Sequence, residues 1–348
     1  MPAPTRRQRA DDVTLRAARL YYEDGLSQAQ IARRLYVSRP EVSRLLSRAR
    51  AEGIVRITVV PPARDEHLRD LADRLVEAFG LRHAILAPGR HDIPDEQTLH
   101  SLLHLIAACA AEYLDEVLSD NDVLAVAWGY NTSNVMRHLR PTKILPSLTV
   151  VPMSGVLTHR MDLFDSNALA RDFALAYGGR YLSLPLPAMV RTPRQRALAA
   201  RLPLVEDTLA ALRGATIAIT SMAPATHHTP AVREGFVSPE ELERLVSRGA
   251  VGEISGWYYD ANGKAVVAPG SRCYPMGMDL ATLREMAAPG SRRSVIGIAG
   301  ADVQRHLPIF AALRGRLVNV LVSDHVTAQR LLELRSAPDT ATDTSAAA

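Results

Sequence analysis

Six short apolar runs, at residues 83–87, 122–128, 147–152, 215–220, 294–298 and 317–322, recur between amphipathic stretches. The stretches at 97–118, 133–139, 164–177, 238–247, 304–313 and 325–334 carry a helical period. Strands that are apolar throughout need cover on both faces, and alternation with helices supplies it. The expected class is therefore α/β, built on a parallel sheet. One segment departs from the alternation. "WYYDANGKAVV" (257–267) reads as a hairpin turning at Asn262-Gly263.

A chain of 348 residues has room for two domains, and 47% hydrophobic residues suffice for a sizeable core. No apolar run is long enough to span a bilayer, so no membrane partner is expected. The opening "MPAPTRRQRA" has no apolar stretch of the signal-peptide kind. Cys109 and Cys273 lie in unrelated contexts, which argues against a disulfide framework or a cysteine-rich zinc module and fits a reducing cytoplasm.

Charge divides the chain unevenly. Residues 1–60 hold 12 arginines against 6 acidic residues, a surplus of six; the whole chain carries +4, which leaves the remaining 288 residues at −2. A basic head on a slightly acidic body points to a polyanion partner. The expected organisation is a disordered N-terminus at 1–12, a head at 13–60, a linker or oligomerisation helix at 61–80, a body at 81–335 and a disordered tail at 336–348. "PPARDE" marks the boundary. The seam Leu68, Leu71, Leu75 and Phe79 would pack on the body or on a second subunit.

Within the head, Leu15, Ala18, Leu20 and Tyr21 give a first helix its buried stripe, and Gly25 ends it. Ser27 caps a second helix carrying Ile31 and Leu35. Ser38, with Glu41 at capping-box spacing, opens a third that Gly53 closes. "IVRITVV" (54–60) then reads as a strand. Two short helices about a tight turn form a helix-turn-helix, whose second helix enters the major groove. Val42, Leu45, Leu46 and Ala49 would pack inward. Arg39, Ser43, Arg44 and Arg48 would then face a duplex, with Ser38, Ser27 and Gln28 as backbone contacts. The planar fork of arginine suits guanine and phosphate alike.

"GLSQAQIARRLYVSRPEVSRLLSRARAEGIVRI" closely resembles the DNA-binding module of the SorC family of bacterial sugar-responsive transcription regulators. The body resembles the same family in order, through "VLAVAWG" (123–129), "VVPMSG" (150–155), "GAVGEISGWYYDANG" (249–263), "IGIAG" (296–300) and "LVNVLVSDHVTAQRLL" (317–332). This resemblance implies a Rossmann-like effector domain similar to sugar-phosphate isomerases and deaminases. It also implies homo-oligomers, dimers or tetramers, on palindromic operators, and DNA affinity set by a small sugar, polyol or phosphosugar.

In an open α/β sheet, ligands lie beyond the carboxyl ends of the strands. Gly129, Tyr130, Asn131, Thr132 and Ser133 follow one such strand and could hold an anionic or hydroxylated ligand. Ser154 and Gly155, with His159, end the next. Glu253 stands where the family commonly has Asp and could accept sugar hydroxyls. Asp260 is a further candidate, with the Asn-Gly turn as its other role. Two departures from the family bear on the ligand. Tyr130 and Asn131 replace an Arg-Thr pair, and Ala301 with Arg305 replace a Gly and an effector-contacting Lys. The lost cations tilt the reading toward an unphosphorylated sugar or polyol.

No metal or cofactor is expected; His227 and His228 are adjacent but have no carboxylate near them in sequence. No catalytic residue is assigned. The rival is an isomerase-like or deaminase-like enzyme with a DNA-binding head. A Schiff base needs a lysine, and the chain has only Lys143 and Lys264, neither placed at the strand ends.

Overall fold

The computed structural model describes residues 6–22, 24–51, 54–55, 66–93, 95–156, 165–268 and 270–337, with side chains from residue 13. The strand at 54–60, the "PPARDE" boundary, Gly53, His159 and the tail beyond residue 337 fall wholly or mostly outside them. The chain divides into two compact units, Met1–Ala63 and Arg64–Ala348.

The first unit holds α1 (Arg6–Tyr22), α2 (Gln28–Leu35) and α3 (Arg39–Ala51). The first helix starts at Arg6, so residues 6–12 belong to it and are not a frayed lead. Its buried face is Thr14, Ala17, Ala18 and Leu20, while Leu15 and Tyr21 are exposed. The expected stripe was therefore rotated about the helix. Ile31, Val42, Leu45, Leu46 and Ala49 are buried, and all but Ala49 share one small core with Ala17 and Leu20.

The second unit opens with α4 (Glu66–Phe79), β1 (His83–Ala87), α5 (Glu96–Val117), β2 (Val123–Val126), α6 (Tyr130–His138), β3 (Thr149–Pro152), α7 (Ser166–Tyr177) and β4 (Arg180–Tyr181). Then come β5 (Met189–Val190), α8 (Pro193–Ala199), α9 (Pro203–Arg213), β6 (Ile217–Ser221), β7 (Ala223–Pro224), α10 (Pro230–Arg233) and α11 (Pro239–Val246). The remainder is β8 (Gly252–Ile254), β9 (Trp257–Tyr259), β10 (Tyr274–Pro275), α12 (Leu280–Met286), β11 (Ser294–Ile298), α13 (His306–Arg314), β12 (Val320–Asp324) and α14 (His325–Ser336).

Seven strands form one sheet in the order β1-β12-β11-β6-β2-β3-β4, every pair parallel. Successive side chains on a strand point to opposite faces. Leu124 and Val126 thus join one core with α5, α6 and α7, while Ala125 joins the other with α4, α9, α12, α13 and α14. This is the expected Rossmann-like three-layer arrangement.

Most of the seam on α4 is spent within this unit. Leu71 and Leu75 are fully buried, and Phe79 meets Phe310 edge to face at 5.8 Å. Of the two partners the sequence left open, the body is the one these residues meet. β7, β8 and β9 form a small antiparallel sheet that packs with α10 and α11 around Trp128, Leu242 and Tyr258. The expected hairpin is present as β9 and a bridge between Tyr259 and Ala265.

Candidate functional site

On the first unit, α2 and α3 present the basic face. Ser27 and Gln30 form a reciprocal capping box: Gln30 N donates to Ser27 Oγ at 3.3 Å, and Ser27 N donates to Gln30 Oε1 at 2.9 Å. The Ser27 hydroxyl is thus engaged in the cap, and Gln28 beside it is half-buried. Ser38 caps α3 by accepting from Glu41 N at 3.3 Å. The Glu41 carboxylate does not close a second box. It turns instead to Arg44, 2.9 Å away. Arg39, Ser43 and Arg44 are exposed and Arg48 is half-buried, on the side opposite Val42, Leu45, Leu46 and Ala49.

On the second unit the sheet order reverses between β2 and β6. From β2 the chain winds through β3 to β4; from β6 it winds the other way through β11 to β12. The carboxyl ends of β2 and β6 therefore border the crevice where open α/β sheets bind ligands.

Gly129 (φ 116°) turns the chain directly from β2 into α6, so Tyr130–Ser133 form its first turn and not a loop. The first helical bond runs from Ser133 N to Gly129 O at 3.0 Å. The amides of Asn131 and Thr132 lie ahead of it at the positive end of the helix dipole. Four consecutive polar residues, Asn131 to Asn134, are buried here. Asn131 Nδ2 donates to Ser221 Oγ at 2.9 Å and to Ile298 O at 3.2 Å, joining the ends of β6 and β11. Thr132 Oγ1 and Asn134 Nδ2 have no hydrogen-bond partner. A buried polar atom left unpaired costs about 1–3 kcal/mol unless something pairs with it.

Arg305, in the turn before α13, reaches toward the end of β6. Its Nη1 points to Met222 O at 3.4 Å, one residue past β6, and its Nε lies 3.9 Å from Asp302 Oδ2. Neither contact is strong, so most of its donor capacity is unspent. Glu253 on β8 is only 4% exposed and accepts from Gly256 N at 2.7 Å. Burial pushes its carboxyl up to about 7, held back by that amide and by the charge of Arg305. Arg305 thus sets a positive charge near Glu253, beyond the end of β6.

Three expected site residues are spent elsewhere. The ring of Tyr130 lies over α5, 5.5 Å from that of His100. Gly155 donates its amide to Met276 O at 3.1 Å and presses against the Leu186 and Pro187 carbonyls, where a Cβ would sit within 2.5 Å of each. Asp260 Oδ1 accepts from Asn262 N and Lys264 N, each at 2.9 Å, and so shapes its turn. That turn packs on Gly315, which leads into the amino end of β12, the wrong end of the sheet for the crevice. Ser154 is buried, and the nearby Ser166 hydroxyl donates to Ser154 O at 2.8 Å.

Two serines at the strand ends were missed. Ser221 is the partner of Asn131, and Ser323 at the end of β12 is buried with its hydroxyl unpaired. Their signal was a single serine closing an apolar strand. His227 and His228 are exposed, and no group of three His, Cys, Asp or Glu among the described residues could hold a metal ion. No described helix is long and apolar enough to cross a membrane.

A helix-turn-helix unit joined to a three-layer α/β unit with a polar switch-point crevice defines a ligand-responsive DNA-binding protein. The chain belongs to the sugar-binding-domain family, which matches residues 63–333, and a MarR-type family matches residues 18–65. It is 29% identical to the deoxyribonucleoside regulator of Bacillus subtilis (strain 168), over 92% of this chain and 97% of that one. It is 28% identical to the sorbitol operon regulator of Klebsiella pneumoniae, over 94% of this chain and all of that protein. The crystal structure of full-length SorC from K. pneumoniae superposes with a TM-score of 0.71 at 26% identity, covering 92% of this chain and 98% of that one. The resemblance to the SorC family thus extends from motifs to more than nine-tenths of the chain.

Proposed function

We propose that this protein is a sequence-specific transcription regulator whose operator affinity is set by a small sugar, polyol or phosphosugar bound at the β2–β6 switch point. The observation that carries the reading is Asn131, which ties α6 to β6 and β11 beside the unpaired Thr132 hydroxyl. A ligand there contacts both halves of the sheet at once. Asn131, Thr132 and Ser133, with the amides of α6, hold one end of it; Arg305 and Glu253 hold the other. Glu253 accepts from hydroxyls, and Arg305 offers its unspent donors to an oxygen-rich or anionic group. The protein acts in the cytoplasm, as a dimer or tetramer that matches paired half-sites.

The regulator names of its relatives support this reading over an enzyme. So does the placement of the two lysines. Lys143 Nζ donates to Glu116 O at 3.1 Å, and Lys264 sits in the turn at the far end of the sheet. The deciding experiment is operator-DNA titration at fixed salt across a panel of sugars, polyols and their phosphates. One class is expected to shift affinity. If none does, but the purified protein turns over a phosphosugar, the enzyme reading replaces this one.

A further inference from the structure

Tyr36 sits in the turn between α2 and α3 and is the most exposed large hydrophobic residue among those described, at 96%. Its backbone is left-handed, with φ 55° and ψ 41°. That conformation ends helices well when glycine or asparagine adopts it and is strained for a ring-bearing side chain. The backbone of the turn is capped, the amides of Tyr36 and Val37 both donating to Ala32 O, but among the described residues the side chain gains no packing in return. The core beneath the turn is filled by Ile31 and Leu46, with Val37 and Leu35 packed against it, and Tyr36 takes no part. The sequence thus places an aromatic ring where glycine would fit with less strain, and points it entirely into solvent.

The sequence neighbours of the ring point to its partner. Arg33 and Arg34 on α2 and Arg39 on α3 flank the turn in sequence and are all exposed. Ser38, two residues on, opens the helix whose outward face carries Arg44. A phenol on a turn flanked by arginines in sequence, just before a recognition helix, suits a phosphodiester: the cations attract the backbone and the hydroxyl donates to an oxygen. We infer that Tyr36 is a DNA-backbone contact, its hydroxyl donating to a phosphate beside the groove that α3 enters. The inference rests on the DNA-binding reading of the head and adds to it a residue outside both helices.

The test uses the full-length chain, fluorescence anisotropy and mixed-sequence duplexes of about 30 base pairs, long enough for two half-sites one turn apart. Tyr36→Phe is expected to weaken binding about three- to tenfold, the range of one net hydrogen bond. The salt slope should stay the same because no charge is lost. The loss should be equal on unrelated duplexes, as befits a phosphate contact. Tyr36→Gly is expected to bind at least as weakly while raising the melting temperature of the head, because it relieves the left-handed backbone. Wild-type affinity in either variant overturns the inference, as does a Tyr36→Phe loss confined to one DNA sequence. In each of those cases the wild-type chain still binds DNA and the reading of the head stands. If the wild-type chain shows no salt-sensitive binding to any duplex, both fall.

Discussion

Asn131 on α6 donates its Nδ2 proton to Ser221 Oγ at the end of β6, 2.9 Å away, and so pins the helix that follows β2 to the neighbouring strand across the switch point. A second bond to Ile298 O extends the tie to β11. A ligand that competes for this amide would loosen α6 from β6, which gives the crevice a mechanical output. Asn131→Ala should remove about 1–3 kcal/mol of stability, the usual effect of losing a buried hydrogen-bonding partner. It should also abolish the thermal shift produced by the effector found in the panel. Scanning calorimetry with and without that effector measures both. A full effector shift in the variant would remove Asn131 from the site.

Glu253 ties stability to pH. Burial pushes its folded carboxyl up to about 7, from an ordinary value of 4.5. Between those values the folded state holds a proton that the unfolded state has released. Stability from this group is therefore complete below about 4.5 and declines as pH rises through 7. The full swing is about 3 kcal/mol at 1.36 kcal/mol per unit. Glu253→Gln should flatten the pH–stability curve over that window and weaken hydroxyl recognition at pH 8. Urea titrations from pH 4 to 8 decide it; an unchanged slope in the variant would show that another group titrates there.

His104 on α5 and His138 on α6 meet ring to ring, Nδ1 to Nε2, at 3.0 Å. One must donate and the other accept, so at most one can be protonated without breaking the bond. Burial depresses both, and nearby positive charge, which for His138 includes His104, lowers them further. For a base held below its ordinary value, stability is present above about 6.5 and is lost as pH falls through the folded value. His138→Gln should lessen that loss. Amide hydrogen exchange in α6 at pH 5.5 and 7.5 provides the check, with protection factors, corrected for the intrinsic rate at each pH, expected to fall at low pH in the wild type only.

Leu75 decides what α4 is for. It is fully buried against the second unit's own core. Leu75→Ala should cost about 2–5 kcal/mol and leave the oligomeric state alone. Sedimentation together with denaturant unfolding tests this. Dissociation of an oligomer without loss of subunit stability would return α4 to an intersubunit role.

The parts of the fold legible in the sequence were those fixed by local pattern. Val42, Leu45, Leu46 and Ala49 recur at helical spacing, and the runs of Val, Ile and Leu in β2, β11 and β12 have no polar face to show water. What failed depended on three-dimensional register. Asn131, Thr132, Ser133 and Asn134 are weak helix formers, so the start of α6 read as a loop; buried partners override that preference. Glu253 and Asp260 lie seven positions apart, and the sequence left Asp260 with two roles. Only the pairing of β8 with β9 sends one to the interior and the other to the turn. Arg305 could be nominated but not placed, because its reach to Met222 O depends on β6 and β11 being neighbours. The seam on α4 had the right residues and an ambiguous partner, since apolar spacing does not say whose core it enters.

Arg44 and Arg48 separate two ways of reading DNA. Arg44 is exposed on α3 and paired with Glu41, an i,i+3 contact at the surface worth little on its own. A phosphate or guanine can therefore displace Glu41 at small expense. If Arg44 reads a base with its planar fork, Arg44→Ala should weaken operator binding by about 1–3 kcal/mol and relax preference at one position only. If it holds phosphate, the loss should be equal on all duplexes and the salt slope should fall by about one unit. Glu41→Ala is the control, since it frees Arg44 and should tighten binding slightly. Arg48 lies one helical turn further on and is half-buried, so Arg48→Ala should show the phosphate pattern even if Arg44 shows the base pattern. Anisotropy titrations on an operator and a scrambled duplex at several salt concentrations distinguish these outcomes. Unchanged affinity in both alanine variants would move the interface off α3.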